Sequence, residues 1–203
     1  MGYRTTKKGY NIKEMTILGV MGPAGCGKDT VAGLLKKYNY TRVASADAMK
    51  QDAVRYFSVQ LEQIENYKDC ELAITSDQME IGSFSIRHFL QTYGMDMRDR
   101  FGDNYWIDRS VNAKIKEMGQ EAKIVVTDIR FQNEIDYVRS KGGQIAYITG
   151  RSALTGEHKS HISEAMANSV DIKEKVDFII DNSHSLDDLE KQLKTLIDKK
   201  VIK

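Results

Sequence analysis

The chain has 203 residues, of which 41% are hydrophobic and 29% are charged, and its formal net charge is +1. This length and this balance are typical of one globular domain with a buried core. The near-neutral charge argues against a nucleic-acid partner, and no apolar run is long enough to span a membrane. Two cysteines, Cys26 and Cys70, are too few for a disulfide framework and fit a reducing compartment, so we expect a cytoplasmic protein.

Residues 1–14 are polar and basic without periodicity, and we predict that they form a flexible arm. The apolar run 15–21 predicts a buried strand, which a glycine-dense loop follows. An amphipathic helix is then predicted to begin near Lys28. A single domain is therefore expected over residues 15–203.

The glycine-dense loop has the spacing of a P-loop, Gly22-x-x-x-x-Gly27-Lys28, between a strand and a helix as the motif requires. Glycines let successive backbone N–H groups turn toward an anion, while the helix dipole and the lysine add positive charge. A glycine turn without a ligand is the alternative, and the agreement of spacing and context argues against it. The residues of this segment predicted to bind ATP are Gly22, Gly25, Cys26, Gly27, Lys28, Asp29 and Thr30.

The loop departs from the usual pattern at one position. A Ser or Thr that ligates magnesium normally follows the lysine, whereas here Asp29 follows Lys28 and Thr30 comes one residue later. Nucleoside monophosphate kinases often read Gly-Lys-x-Thr, so the departure indicates that subgroup. We predict Mg²⁺ near Asp29, Thr30 and the later Asp128, and the sequence leaves open whether Asp29 contacts the metal or only tunes its water.

The next predicted elements are a strand over 41–45 and a helix over 48–57. Asp47 could cap this helix, and Lys50 would lie in its first turn. Because ligands of parallel sheets bind beyond the strand ends, Asp47 and Lys50 are candidate substrate-binding residues.

Residues 58–82 are the least regular part of the chain, with mixed charges, short apolar runs and no clear strand. We place a helical, substrate-covering insertion at about residues 58–103. A helix predicted over 104–118 follows it, with the single tryptophan, Trp106, near its start.

Within the insertion, a helix is predicted to start at a cap formed by Ser83 or Ser85 and to stop at Gly94. Arg87 and Gln91 are four residues apart, so they share one face of this helix.

The clearest strand after the first is predicted over 123–127, and Asp128 follows it directly. An acidic residue after an apolar strand often organises magnesium, directly or through water. Arg130 could bind a phosphate, and it could pair with Glu134 on one helix face if the following helix, predicted from about Asn133 to Ser140, begins near Arg130.

A further strand is predicted over 144–149, and the polar segment after it, at about 150–165, resembles a lid. Arg151 and His161 would bring positive charge to the phosphates when such a lid closes.

The last strand is predicted over 176–180, and Asn182 lies just beyond its end. Ser185 with Asp188 resembles a capping box that opens the final helix at Leu186.

The alternation of strands and helices predicts an α/β fold with about five parallel strands and helices on both faces, a three-layer arrangement. The rule that ligands bind at the carboxyl ends of the strands selects the P-loop and four other polar segments: 45–47, 128–130, 150–151 and 181–182.

Several short segments resemble, in their order along the chain, the phage deoxynucleoside monophosphate kinases. The matching segments are Gly27–Thr30, Ile86–Gly94, Tyr105-Trp106, Asp128-Ile129-Arg130 with Glu134, His161–Glu164, and Ile180–Asn182 with Ser185-Leu186. The resemblance covers residue 15 to the C-terminus and implies a P-loop kinase fold. It implies transfer of the ATP γ-phosphoryl group to the 5′-phosphate of a deoxynucleoside monophosphate, in a host cytoplasm if the chain is phage-encoded.

The resemblance also implies which residues would surround the acceptor: Arg87, Gly94, Trp106, Asp128, Arg130 and Glu134. Trp106 could stack on the base or pack in the pocket wall. With Asp47, Lys50, Gln91 and His161, these are the predicted substrate-binding residues, while Asn182 joins the ATP site. The predicted catalytic residues are Lys28, Asp128, Arg130 and Arg151.

Other functions remain open at this point. Another small-molecule P-loop kinase, related to dephospho-coenzyme A or phosphomevalonate kinases, would share the ATP half of the site. A GTP-dependent switch would use the D-x-x-G pattern at Asp99–Gly102, but no N-K-x-D motif accompanies it. The phage kinases that the chain resembles carry a longer insertion before the Arg87 helix, and its shortening here to about residues 58–82 leaves the base preference open. The sequence also leaves open whether ribose or deoxyribose is preferred and whether the chain forms a homodimer.

Overall fold

The computed structural model describes residues 15–67, 69–76, 79–119, 121–150 and 176–202, with the backbone alone over 71–84. The predicted arm at residues 1–14 lies outside the described residues, as does the predicted lid beyond Gly150, with Arg151 and His161.

A parallel sheet forms the centre of the molecule. The strands among the described residues are β1 (Thr16–Met21), β2 (Tyr40–Val43), β3 (Glu71–Ser76), β4 (Met79–Ser85), β5 (Lys123–Val126), β6 (Gln144–Gly150) and β7 (Phe178–Asn182). Five of them pair in the order β2-β5-β1-β6-β7, and all four pairings are parallel. The predicted five-stranded sheet is confirmed, and the strand that leads into the P-loop lies at its centre.

Helices connect the strands. Those among the described residues are α1 (Lys28–Leu35), α2 (Ser45–Phe57), α3 (Leu61–Asn66), α4 (Ile86–Phe101), α5 (Tyr105–Met118), α6 (Gln132–Ser140) and α7 (Leu186–Asp198), with a 3₁₀ turn over Lys36–Tyr38. The predicted cap of α7 is confirmed, because the Ser185 hydroxyl accepts a hydrogen bond of 3.2 Å from the Asp188 N–H. No helix in the described part of the chain is both long and apolar enough to cross a membrane.

Apolar side chains alternate between the two faces of the sheet, as strands buried on both sides require. Along β5, Ile124 and Val126 lie in the core beneath α5 and α6, whereas Val125 lies in the core beneath α1 and α7. These two layers of helices confirm the three-layer α/β fold. A smaller core, which contains Ala53 and Ile64, joins α2, α3 and α4 at one end.

The insertion differs from its prediction because it is not wholly helical. After α3, the segments β3 and β4 form an antiparallel pair, although the sequence predicted no strand there. Two antiparallel strands that pair only with each other are stabilised by contacts across the pair. They do not have to be buried in the central sheet, so they do not require a clear apolar alternation.

The end of α4 also differs from its prediction. Ser85 is the cap, since its hydroxyl accepts the His88 N–H at 3.1 Å, but the helix continues through Gly94 and ends before Gly102. A Cβ on Gly94 would lie 2.9 Å from Cε of Met49, so the glycine allows α4 to pack closely on α2. Gly94 therefore serves helix packing, and Gly102 with a φ of +98° ends the helix.

The start of α2 lies earlier than predicted. The helix begins at Ser45, and Asp47 caps it from within the first turn by accepting the Ala44 N–H at 3.0 Å. Lys50 consequently lies in the second turn and not in the first.

The turn between α6 and β6 offers a test of close packing. A Cβ on Gly143 would lie 2.6 Å from the Ile17 carbonyl oxygen and 2.6 Å from a methyl group of Val138. We expect Gly143→Ala to lower the free energy of unfolding by about 2 kcal/mol, because backbone must shift to relieve the contact. Urea unfolding measures this change.

Gly33→Ala is the matched control, since a Cβ there meets no atom within 4 Å and the residue lies inside α1. Its stability should equal or exceed that of the wild type, because alanine favours the helix by about 1 kcal/mol. Equal losses in the two variants would contradict the packing argument.

Candidate active site

The backbone of the P-loop has positive φ angles at three of its glycines. The φ angles of Gly22, Gly25 and Gly27 are +146°, +75° and +98°, a region that other residues rarely adopt. The side-chain amide of Asn182, at the end of β7, donates a hydrogen bond of 2.8 Å to the Cys26 carbonyl. A Cβ on Gly27 would collide with that amide. Asn182 therefore supports the loop from the end of the edge strand β7, two strands away from β1.

Lys28 is held at the loop itself. Its ammonium donates hydrogen bonds to the carbonyl oxygens of Gly22, at 2.9 Å, and Pro23, at 2.8 Å. The positive charge thus lies beside the glycines whose N–H groups suit an anion. This arrangement fits the predicted contact of Lys28 with nucleotide phosphates.

The side chain of Cys26 faces the core, where its sulfur also lies 3.9 Å from the Lys28 ammonium. It is buried beneath α1 and α7, and burial raises the pKa of the Cys26 thiol above its ordinary value. Only the backbone of Cys26 can therefore take part in the predicted contact with ATP.

A charged bridge joins the first turns of α1 and α2. Arg42, on β2, donates from Nε to the Asp29 carboxylate at 2.8 Å and from Nη1 to the Asp47 carboxylate at 2.9 Å. Thr30, the next residue of α1, is exposed beside it. No sequence pattern marks Arg42 as part of the site, because a charged residue in a short strand is usually only solvated.

Asp128 ties the end of β5 to the start of α2. Its two carboxylate oxygens accept the N–H groups of Ser45 and Ala46, each at 2.9 Å. Burial raises the pKa of Asp128 above its ordinary value, although these hydrogen bonds and Arg130 oppose the change. Each oxygen keeps a further lone pair, so a contact to metal or water is compatible with this arrangement.

Glu134 caps α6 and orders the turn before it. Its carboxylate accepts the N–H groups of Arg130, at 2.8 Å, and Phe131, at 3.1 Å. The condition for Arg130 and Glu134 to share a helix face is not met, because α6 begins at Gln132 and Arg130 precedes it. Glu134 is only 3% exposed, and burial, with a smaller effect of Asp128, raises its pKa to about 7.

Two cations predicted to bind the acceptor pair with acids of the insertion. Arg87, at the start of α4, pairs through Nε and Nη2 with both carboxylate oxygens of Asp69. Lys50 of α2 lies 2.5 Å from the carboxylate of Glu65 on α3. Gln91, one turn after Arg87, is exposed. Arg87 thus makes a contact within the insertion and Lys50 joins the insertion to α2, although the sequence assigned both side chains to substrate.

Trp106 belongs to the wall of this region. It is 1% exposed, and its indole N–H donates to the Gly94 carbonyl at 3.0 Å. Tyr93 and Tyr105 pack edge-on against it, with ring centres 5.5 and 4.8 Å away. Of the two predicted roles, this burial favours packing in the pocket wall over stacking on a base.

An ion pair and a hydrogen bond, neither predicted from the sequence, join α2, α4 and α5 beside Trp106. Asp52 of α2 receives two hydrogen bonds from Arg109 of α5, at 2.5 and 2.6 Å, and one from the Tyr93 hydroxyl at 3.1 Å. The Arg109 guanidinium lies 5.7 Å from the ring centre of Trp106. No motif marks these residues, since each looks like an ordinary polar position on an amphipathic helix.

The described residues contain no cluster of three or more His, Cys, Asp or Glu side chains that could hold a metal ion. Magnesium bound to a nucleotide needs only one or two protein groups, because phosphates and water complete its shell. The exposed Thr30 hydroxyl and the Asp128 carboxylate are oxygen groups of the kind that could ligate such a magnesium ion.

Glu134→Gln tests the effect of burial on this carboxyl group. Because its pKa rises from 4.5 to about 7 on folding, the native state binds more protons than the unfolded chain between these values. The wild-type free energy of unfolding should therefore fall as pH rises through this window, by on the order of 2 kcal/mol relative to E134Q. Urea unfolding at about pH 5 and pH 7.5, without divalent cations, measures the difference.

The exposed Asp136 of the same helix provides the control, and D136N should keep the wild-type dependence on pH. An E134Q curve parallel to that of the wild type would show that Glu134 does not titrate in this range.

Comparison with known proteins is consistent with this geometry. A model of the deoxynucleotide monophosphate kinase family matches residues 49–193, from α2 to α7. A protein of Acanthamoeba polyphaga mimivirus, provisionally named a deoxynucleotide monophosphate kinase, is 26% identical over 195 residues, which are 91% of this chain and 97% of the viral protein.

Solved structures of P-loop kinases are similar at low identity. Dephospho-CoA kinase from Campylobacter jejuni has a TM-score of 0.44 at 19% identity, over 91% of this chain and 97% of that one. Shikimate kinase from Aquifex aeolicus has a TM-score of 0.48 at 11% identity, over 91% of this chain and 98% of that one. The family model covers more than half of the chain and confirms the resemblance seen in the sequence. The chain belongs to the deoxynucleotide monophosphate kinase family and is a phosphotransferase.

Proposed function

We propose that the protein transfers the γ-phosphoryl group of ATP to the 5′-phosphate of a deoxynucleoside monophosphate. The main support, in a chain of this family, is the pairing of β1 with β5. This pairing brings the P-loop and the turn from Asp128 to Arg130 out of the sheet side by side. A donor site and an acceptor site can thus share one edge of the sheet.

On the donor side, the P-loop N–H groups and Lys28 would bind the phosphates of ATP. Lys28 suits the γ-phosphate, because its ammonium already lies at the loop. Magnesium, held through Thr30 and Asp128, would neutralise charge that develops on the phosphate oxygens. Catalysis of this kind depends on position and charge more than on covalent chemistry.

On the acceptor side, Arg130 and Arg87 would bind the phosphate of the monophosphate, together with Lys50. The Glu134 carboxylate holds the Arg130 N–H and so orders the turn that carries this side chain. Gly94 and Trp106 would close the wall behind the nucleoside. The predicted contributions of Arg151 and His161 stay predictions, since both lie outside the described residues.

A GTP-dependent switch has less support. The D-x-x-G pattern at Asp99–Gly102 forms the last residues of α4 and its cap, not a loop after a strand. It therefore lacks the position at which such a motif would meet a γ-phosphate.

The proposal is tested by ADP release with MgATP and each of the four common deoxynucleoside monophosphates. We expect acceptor-dependent release with at least one of them, and Lys28→Ala should lower kcat by about 100-fold or more because it removes charge stabilisation of the transition state. Lys36→Ala, an exposed lysine just beyond α1, is the matched control and should turn over normally. Absence of release with all four acceptors would reject the proposed activity.

Arg130→Ala separates the two halves of the site. If Arg130 binds the acceptor phosphate, the KM for the monophosphate should rise about tenfold or more while the KM for ATP changes little. Arg100→Ala, which removes an exposed arginine paired within α4, should leave both constants unchanged. A rise confined to the KM for ATP would place Arg130 on the donor side instead.

A further inference from the structure

The acid that follows the P-loop lysine poses an electrostatic problem. Asp29 is the second residue of α1, at the position where other P-loops carry a hydroxyl that reaches the metal. A carboxylate at this position would repel the triphosphate of ATP if it faced the loop. Something in the fold must therefore direct or neutralise it.

The structure provides a partner on the neighbouring strand. The Asp29 carboxylate accepts the Arg42 Nε–H at 2.8 Å, and this side chain of Asp29 is 77% exposed. Arg42 comes from β2, which is joined to α1 by the 3₁₀ turn. The carboxylate is thus directed to the strand side of the helix and shares the charge of a guanidinium.

The direction of Arg42 is itself determined by a second acid. Its Nη1 donates to Asp47 at 2.9 Å, and the Asp47 carboxylate in turn accepts the Ala44 N–H at 3.0 Å. Asp47 is half as exposed as Asp29, at 37% against 77%. The more buried and backbone-bonded Asp47 therefore anchors the guanidinium, which leaves Nε for Asp29.

We propose that Arg42 is a positioning residue for ATP, which holds the Asp29 carboxylate away from the phosphates and neutralises it. This bridge lets the P-loop tolerate an acid in place of Ser or Thr. It follows that Asp29 is not a metal ligand and that the Thr30 hydroxyl is the group of this helix left to reach the metal. The inference depends on the ATP site of the proposed function.

If Arg42 had a purely structural role, its loss would lower the melting temperature of the protein. Exposed ion pairs contribute little to stability, so loss of Arg42 should change the melting temperature only slightly. The effect of losing Arg42 on the affinity for ATP should instead depend on whether Asp29 carries a charge, because Arg42 neutralises that charge.

The test measures the Kd of a non-hydrolysable ATP analogue with Mg²⁺ by calorimetry, which needs no acceptor. Arg42→Met should raise the Kd about fivefold or more, because the Asp29 charge is then uncompensated beside the phosphates. The same change in the D29N background should raise it less than about twofold, since no charge remains to be compensated. Arg42→Lys, which keeps the charge but lacks the planar fork, should lie between wild type and R42M.

Arg100→Met controls for the loss of one positive charge and should leave the Kd unchanged. An equal rise for Arg42→Met in both backgrounds would overturn the inference, because Arg42 would then act directly on ATP or through Asp47. Loss of Mg²⁺-dependent binding in D29N alone would also overturn it, since Asp29 would then be the ligand. A wild-type protein that binds no analogue would instead reject the proposed function.

Discussion

The carboxylate of Asp128 is the contact on which the two halves of the site depend. It accepts two N–H groups from the first turn of α2 and so fixes that helix to the end of β5, next to the P-loop strand. Because α2 also carries Asp47, Lys50 and Asp52, the same contact fixes these three residues relative to the P-loop strand. A carboxylate that accepts two backbone N–H groups is well held.

From α2, ion pairs extend in both directions. Toward the donor side, Asp47 shares Arg42 with Asp29 at the start of α1. Toward the insertion, Lys50 meets Glu65, and Asp52 meets Arg109 beside the buried Trp106. One helix therefore connects the P-loop helix α1, the insertion and the wall that contains Trp106. Charged contacts suit this purpose, since they specify geometry while contributing only modestly to overall stability.

Much of the fold was predictable because it depends on local pattern. The three inner strands of the sheet, β5, β1 and β6, are short apolar runs buried on both faces, and the cap at Ser185 follows from residue type and spacing. The β3–β4 pair was not predictable, since two strands that satisfy each other need no amphipathic pattern. Gly94 was misread as a helix stop because glycine ends helices and also permits close packing, and only the position of Met49 distinguishes the two. The same limit applies to Arg42, Asp69 and Arg109, whose partners lie in other elements.

The sequence by itself determined the P-loop, the order of strands and helices and the polar strand ends, because each of these depends on residues near one another in the chain. It also carried the family resemblance. Only the tertiary structure decided what the charged residues do. It turned Asp29 onto Arg42, used Asp128 and Glu134 to hold backbone N–H groups, and buried Trp106 in a wall. The physical reason is that a carboxylate takes whichever donor the fold brings within about 3 Å, and that choice depends on packing between distant segments.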